Sequence, residues 1–193
     1  MQARMVYGRG ARGFHWLTVA LLLIIMPMGI VMGDLPRGPL QDALFITHES
    51  LGITVLALTV LRFFWRLGHR PPPPSPDLSR LEVGASGSVH ALLYLVLVVT
   101  PITGYLFISF LGINFSYVGL VDLRPPVATD KPTGEVIGAV HASMQWAIYA
   151  LVAMHVGAAL HHYIFRRNDV LQRMLPGLRQ RSGAKVAPGR PLG

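Results

Sequence analysis

Four long segments that are almost free of charged residues constrain this chain more than any other feature. They cover residues 14–33, 43–61, 83–121 and 136–165, and Glu49 is the only acid or base in them. An α-helix of about 20 apolar residues spans the roughly 30 Å hydrocarbon core of a bilayer. The third segment is longer than one crossing needs, so we expect its span near residues 88–112, with a kink at Pro101. The pattern predicts four transmembrane helices.

Composition supports a membrane protein and excludes several chemistries. The chain has 52% hydrophobic and only 13% charged residues, whereas about a quarter of the residues in a soluble domain are charged. The 193 residues hold four membrane helices and little else. The absence of cysteine excludes disulfides, thiolate metal sites, iron–sulfur clusters and thioether-linked haem. We therefore expect an all-α membrane protein, an up-down bundle over residues 1–176, followed by a disordered basic tail at 177–193.

The distribution of basic residues predicts the orientation of the bundle. An up-down bundle of four helices has both termini on one side, and fourteen of the seventeen lysines and arginines fall on that side. The other side carries only Arg37, Arg124 and Lys131. By the positive-inside rule, both termini are cytoplasmic in a bacterial inner membrane. Anionic lipid headgroups then account for the basic charge, and no nucleic-acid partner is predicted.

Histidines give the first indication of function, since seven of the eight lie in or at the ends of the apolar segments. His141 and His155 are 14 residues apart on the fourth helix, which is about 1400° of rotation and about 21 Å of rise. Both rings therefore share one face at two depths. His48 begins the second helix at the depth of His141, and His15 begins the first helix at the depth of His155. The spacing predicts two stacked sites.

Two neutral imidazoles on opposite sides of a flat macrocycle are the ligands of a b-type haem. Gly52, one turn after His48, leaves room for a porphyrin face, although ordinary helix packing explains a small residue equally well. For any lone histidine, an interhelical hydrogen bond is an equally good interpretation. Zinc is the rival metal, but its sites favour four ligands with short local spacing, which no helix here offers.

Several segments in this order resemble a known family. They are RGFHWLT in the first helix, THESLGITVLALTVLRFFWRL in the second, SVHALLYLVLVVTPITGY in the third and VHASMQWAIYALVAMHVGAALHHYIFRRNDVLQRMLP in the fourth. Over residues 12–176 the chain resembles the bacterial cytochrome b561 proteins, which share their fold with the cytochrome b subunits of nickel-iron hydrogenases and formate dehydrogenases. The resemblance implies two b haems between the helices, with ligands at His15, His48, His141 and His155.

The resemblance to quinone-reducing members also implies a quinone site. There, a histidine of the HHYIF segment and a base in the second loop contact the quinone, and the matching histidine is His162. The loop position falls near Asp77, so Arg80 is the closest available base. We therefore expect His162 and Arg80 to contact ubiquinone or a haem propionate. Interfacial hydrogen bonding is the alternative for His162, and likewise for His90 and His161.

These features predict a dihaem cytochrome b that carries single electrons between a donor and ubiquinone in a lipid bilayer. The donor is on the periplasmic side and is either superoxide, as in superoxide oxidases, or a redox protein. A membrane-anchor subunit fed by a partner dehydrogenase or soluble cytochrome is an alternative function. A haem-free helical scaffold is the alternative from another class.

Overall fold

The computed structural model describes residues 6–175, which form four long helices and one small hairpin. The elements are α1 (Arg9–Asp34), α2 (Pro39–Gly68), α3 (Arg80–Phe110), β1 (Phe115–Tyr117), β2 (Val121–Leu123) and α4 (Lys131–Ile164). Each helix is long and apolar enough to cross a membrane, which confirms the prediction of four spans. The predicted disordered tail at 177–193 lies outside the described residues.

Each helix begins before its charge-free segment, and at α3 and α4 a side-chain cap marks the start. Helix α3 begins at Arg80, not near 88, since Ser79 forms a capping box with Glu82. In it the Glu82 amide donates to the Ser79 hydroxyl at 3.3 Å, and the Ser79 amide donates to the Glu82 carboxylate at 2.7 Å. Asp130 caps α4 in a similar way. Charge-free segments therefore mark the membrane portion of each helix and not its termini.

Helix packing is uneven around the bundle. Helices α3 and α4 pack closely along their backbones, with Gly134 and Gly138 of α4 lying against Leu111 and Phe107. Small residues of this kind allow membrane helices to approach. Within residues 6–175, the backbone of α4 makes almost no close approach to α1 or α2. Side chains bridge that wider space at mid-bundle in a buried cluster of Val55, Val96, Leu97, Ile148 and Leu151.

The segment after α4 folds back and ties three parts of one bundle end together. The Arg173 guanidinium, almost fully buried, donates to the carboxylate of Asp169 at 2.9 Å and to the carbonyl of Pro73 at 2.6 Å. The Trp16 indole of α1 donates to the Met174 carbonyl at 2.9 Å. The start of α1, the second loop and residues 166–175 therefore form one end of the bundle, which we call the terminal end.

The hairpin between α3 and α4 is an element that the sequence interpretation did not include. Residues 118–120 link Tyr117 to Val121, the last pair of the two strands, and Val118 and Gly119 there adopt left-handed φ values of 55° and 68°. The apolar run through residue 121 gave no Asn-Gly or Asp-Gly signal for it. The hairpin docks on α2, where the Val118 amide donates to the buried Ser50 hydroxyl at 2.8 Å.

Replacing Ser50 by Ala should loosen this hairpin. The Val118 amide then loses its acceptor, and an unpaired buried donor costs about 1–3 kcal/mol. Hydrogen exchange followed by mass spectrometry should show faster exchange over residues 115–123, and the unfolding temperature in detergent should fall. Ser143→Ala is the matched control, because that exposed hydroxyl bonds only to the Ala139 carbonyl of its own helix. Equal exchange in the two variants would contradict the docking role of Ser50.

Candidate functional site

Four histidines form two pairs at two levels of the bundle. The ring centres of His15 on α1 and His155 on α4 are 6.2 Å apart. Those of His48 on α2 and His141 on α4 are also 6.2 Å apart. These are the same two pairs that the depths of the histidines along the helices predict. About 21 Å of α4 separates the two levels.

The spacing of each pair matches one metal atom between two imidazoles. A metal–nitrogen bond of about 2.0–2.1 Å plus about 1.1 Å from nitrogen to ring centre places two ligating rings about 6.2–6.4 Å apart. Among residues 6–175, no group of three or more histidine or acidic side chains is placed to hold a metal ion. Paired imidazoles, each pair drawn from two helices, therefore suit the axial ligation of haem better than a closed zinc site.

His141 has a fixed tautomer. Its Nδ1 lies 2.9 Å from the Thr100 carbonyl of α3. A carbonyl oxygen only accepts hydrogen bonds, so Nδ1 carries the proton and Nε2 keeps a free lone pair. Ligating histidines in metal sites are commonly oriented by such a bond to a backbone carbonyl. The arrangement prepares Nε2 of His141 to bind a metal.

Glycines leave the space that the His48 and His141 rings occupy. A Cβ at Gly104 would lie 2.8 Å from the His141 ring, and a Cβ at Gly29 would lie 3.2 Å from the His48 ring. Gly52 lines an apolar cleft of about 70 Å³ beside His48 and His141, and the nearest atom to a Cβ there is 3.8 Å away. The sequence interpretation selected Gly52 and missed Gly29 and Gly104. Gly29 and Gly104 share one feature that the sequence shows: each is a glycine in a membrane helix at the depth of a paired histidine.

His90 is a third histidine at the level of His15 and His155. Its ring centre is 5.1 Å from that of His155, and its Nδ1 donates to the Ser86 carbonyl at 2.6 Å. The sequence indicates that His90 lies at the start of the third helix, but α3 begins ten residues before it, at Arg80. That extension places His90 within the bundle beside the histidine pair.

His162 and Arg80, the two residues expected to contact the quinone, do not touch each other in the structure. The buried Asn168 amide donates to Nδ1 of His162 at 3.0 Å, which leaves the proton of His162 on Nε2. Arg80 is exposed and makes no ion pair or hydrogen bond with residues 6–175. Arg166, which the sequence interpretation missed, is the base beside the second loop. It lies 3.4 Å from the Glu82 carboxylate and donates to the Asp77 carbonyl at 3.2 Å.

Comparisons with known proteins agree on one family along nearly the whole chain. The family model for prokaryotic cytochrome b561 matches residues 6–177. Cytochrome b561 homolog 2 of Escherichia coli (strain K12) is 32% identical over 88% of this chain and 90% of its own length. Cytochrome b561 homolog 1 of the same organism is 26% identical over 84% and 92%. A probable superoxide oxidase CybB of Yersinia pestis is 30% identical over 85% and 92%.

Adding a methyl group at Gly104 should disturb His141. In Gly104→Ala the new Cβ would lie 2.8 Å from the ring, so the ring must shift and its bond to Thr100 is strained. Changes next to a metal ligand typically cost about 10–100-fold in affinity. We therefore expect less bound haem per purified chain in a pyridine haemochrome assay. Gly157→Ala, on the α4 helix that carries His141 and with nothing within 4 Å of its Cβ, is the control. Equal haem content in the two variants would argue against a ligand role for His141.

Proposed function

Because the chain belongs to the prokaryotic cytochrome b561 family, we propose that this membrane electron-transfer protein holds two b haems and passes single electrons between a donor and ubiquinone. The family implies b-type haem. The proposal of two haems rests on two histidine pairs at two levels of the bundle, each with 6.2 Å between its ring centres.

The proposed ligands are His15 with His155 and His48 with His141. Bound haem supplies the one-electron oxidation and reduction of its iron. The chain contributes position, orientation and exclusion of water. The Thr100 carbonyl orients His141. The apolar cluster around Val55, Leu97 and Ile148 keeps polar groups out of the space between the two levels.

We place the ubiquinone site at the terminal end, on the side of His162. With Nδ1 occupied by Asn168, the Nε2–H of His162 is free to donate to a quinone carbonyl. Arg166 replaces Arg80 as the proposed basic contact, since Glu82 and the Asp77 carbonyl hold it beside the second loop. Gly52 is retained as a proposed haem-packing residue, because it lines the cleft beside His48.

The proposed location is a bacterial inner membrane with both termini in the cytoplasm. The start of α1 and the segment after α4 are in contact, because the Tyr7 amide donates to the Arg173 carbonyl at 3.3 Å. The two ends of the described chain are therefore on one side, and within residues 6–175 the topology assigns nine bases to that side and three to the other. The His48 and His141 level then faces the periplasm.

Charge bears on the proposed donor. The similarity to a probable superoxide oxidase makes superoxide a candidate. However, the segments at the proposed periplasmic side carry three bases (Arg37, Arg124 and Lys131) and six acids (Asp34, Asp42, Glu49, Asp122, Asp130 and Glu135). An anionic substrate is captured quickly where the local field is positive. This balance favours a basic redox protein as donor, which also suits a membrane-anchor subunit.

Histidine substitutions test the two-haem proposal. His15→Ala and His155→Ala should each remove one haem, and His48→Ala and His141→Ala should each remove the other. Haem per chain and a redox titration of the remaining haem distinguish the two sites. His161→Ala is the control, because its exposed ring contacts only His162 and Phe165 and should leave both haems bound. If His15→Ala and His141→Ala lost the same haem, the proposed pairing would be wrong.

Stopped-flow kinetics test the donor. With a net negative periplasmic side, superoxide should reduce the haems well below the diffusion limit of about 10⁹ M⁻¹s⁻¹. The rate should not fall as ionic strength rises, since salt slows only attractive encounters. A rate near the limit that drops steeply with salt would instead identify superoxide as the donor and show a positive entry path.

A further inference from the structure

A large open pocket at the terminal end collects basic side chains that no acid neutralises. We call it the basic pocket; it contains about 1440 Å³ of empty space including its mouth. Its basic lining comprises four arginines and His69, and its aromatic lining comprises Tyr7, Trp65 and Tyr94; the arginines are Arg9, Arg62, Arg66 and Arg70. The described lining includes no acid, and the sequence has none in residues 1–5 or 176–193.

The four arginines are unpaired within the part of the chain that the structure describes. The ion pairs there join Arg166 with Glu82 and Arg173 with Asp169, both outside the pocket lining. The Arg62 guanidinium lies over the Tyr94 ring, 5.6 Å from its centre, which is a contact with an aromatic face and not with an anion. Arg62 is half-buried and the other three arginines are exposed, so their charges face an open cavity that an anion can enter.

The start of α1 adds backbone donors to the same pocket. Gly8 is its N-cap and offers no side-chain hydrogen bond, and the first turn contains no acid. The lining includes residues 6–11, so the free amides of this first turn border the cavity. Uncapped helix N-termini bind anions through such amides and the helix dipole. The arginines and the first turn of α1 therefore both favour an anionic ligand.

One wall of the pocket is held in a defined position. The Trp65 indole stacks on the His69 ring with 3.9 Å between centres and 2° between planes. It also lies against Gly10, where a Cβ would come within 2.6 Å of the indole. Gly10 therefore allows Trp65 to close the side of the pocket against α1.

We propose that the basic pocket binds the phosphate of an anionic phospholipid headgroup. Arginines match the oxygens of a phosphate with paired, charge-assisted hydrogen bonds. The pocket lies where the apolar part of α2 ends, and the α2 residues Leu61 and Phe64 just before it are more than half exposed. Those side chains are placed to contact acyl chains while the phosphate occupies the pocket. Basic pockets between membrane helices on the cytoplasmic side bind anionic lipids in this way.

The test uses the full haem-containing chain in mild detergent. Arg9→Gln with Arg70→Gln removes two pocket charges, and neither residue contacts a paired histidine. Arg80→Gln with Arg167→Gln removes the same charge from exposed positions at the same end. Native mass spectrometry measures the lipid retained after purification and, after delipidation, the binding of phosphatidylglycerol, phosphatidylcholine and inorganic phosphate.

The expected results are one retained anionic phospholipid on the wild type and at least about tenfold tighter binding of phosphatidylglycerol than of phosphatidylcholine. The pocket variant should lose at least about tenfold in phosphatidylglycerol affinity with unchanged haem content, and the surface variant should behave as the wild type.

Three outcomes would overturn the proposal. Equal phosphatidylglycerol binding by the two variants would show that the pocket is not the site. Loss of haem from the pocket variant without loss of lipid would assign the arginines to haem propionates. Inorganic phosphate binding as tightly as phosphatidylglycerol would identify free phosphate as the ligand.

Discussion

A polar group inside a bilayer has no water to bind, so it must find its partner within the protein. Several polar groups in the interior of the bundle meet this requirement with bonds between helices. The Tyr149 hydroxyl of α4 donates to the Met26 carbonyl of α1 at 2.7 Å, and the Gln145 amide donates to the same hydroxyl at 3.0 Å. His141 uses the Thr100 carbonyl of α3. These bonds connect α4 to its neighbours and fix its rotation, which in turn fixes where its two histidines point.

The uneven packing of the helices follows from the same arrangement. Glycines let α3 and α4 approach closely, and α1 and α2 also pack along their backbones. Each histidine pair instead spans α4 and a helix whose backbone keeps its distance, α1 in one case and α2 in the other. The wider space therefore lies between α4 and those two helices, while the α1–α2 and α3–α4 pairs are each closely packed.

Sequence reasoning predicted the features that depend on helical period and hydropathy. The 14-residue spacing of His141 and His155, together with antiparallel neighbours, was enough to pair them with His48 and His15. Features that depend on how helices approach one another were not predictable in this way. Gly104 matters because of its distance from a ring on another helix, and His90 because the Ser79 cap starts α3 early. Arg166 was missed because its partners, Glu82 and Asp77, are far from it in sequence.

Both histidine pairs take one member from α4, which is the last of the four described helices to leave the ribosome. Until α4 is inserted, the nascent chain has His15 and His48 but neither of their partners. The contacts of Arg173 and Met174 with the second loop and α1 form later still. If both pairs bind haem as we propose, no chain that ends before α4 presents a complete pair of ligands, and haem capture then follows the insertion of α4.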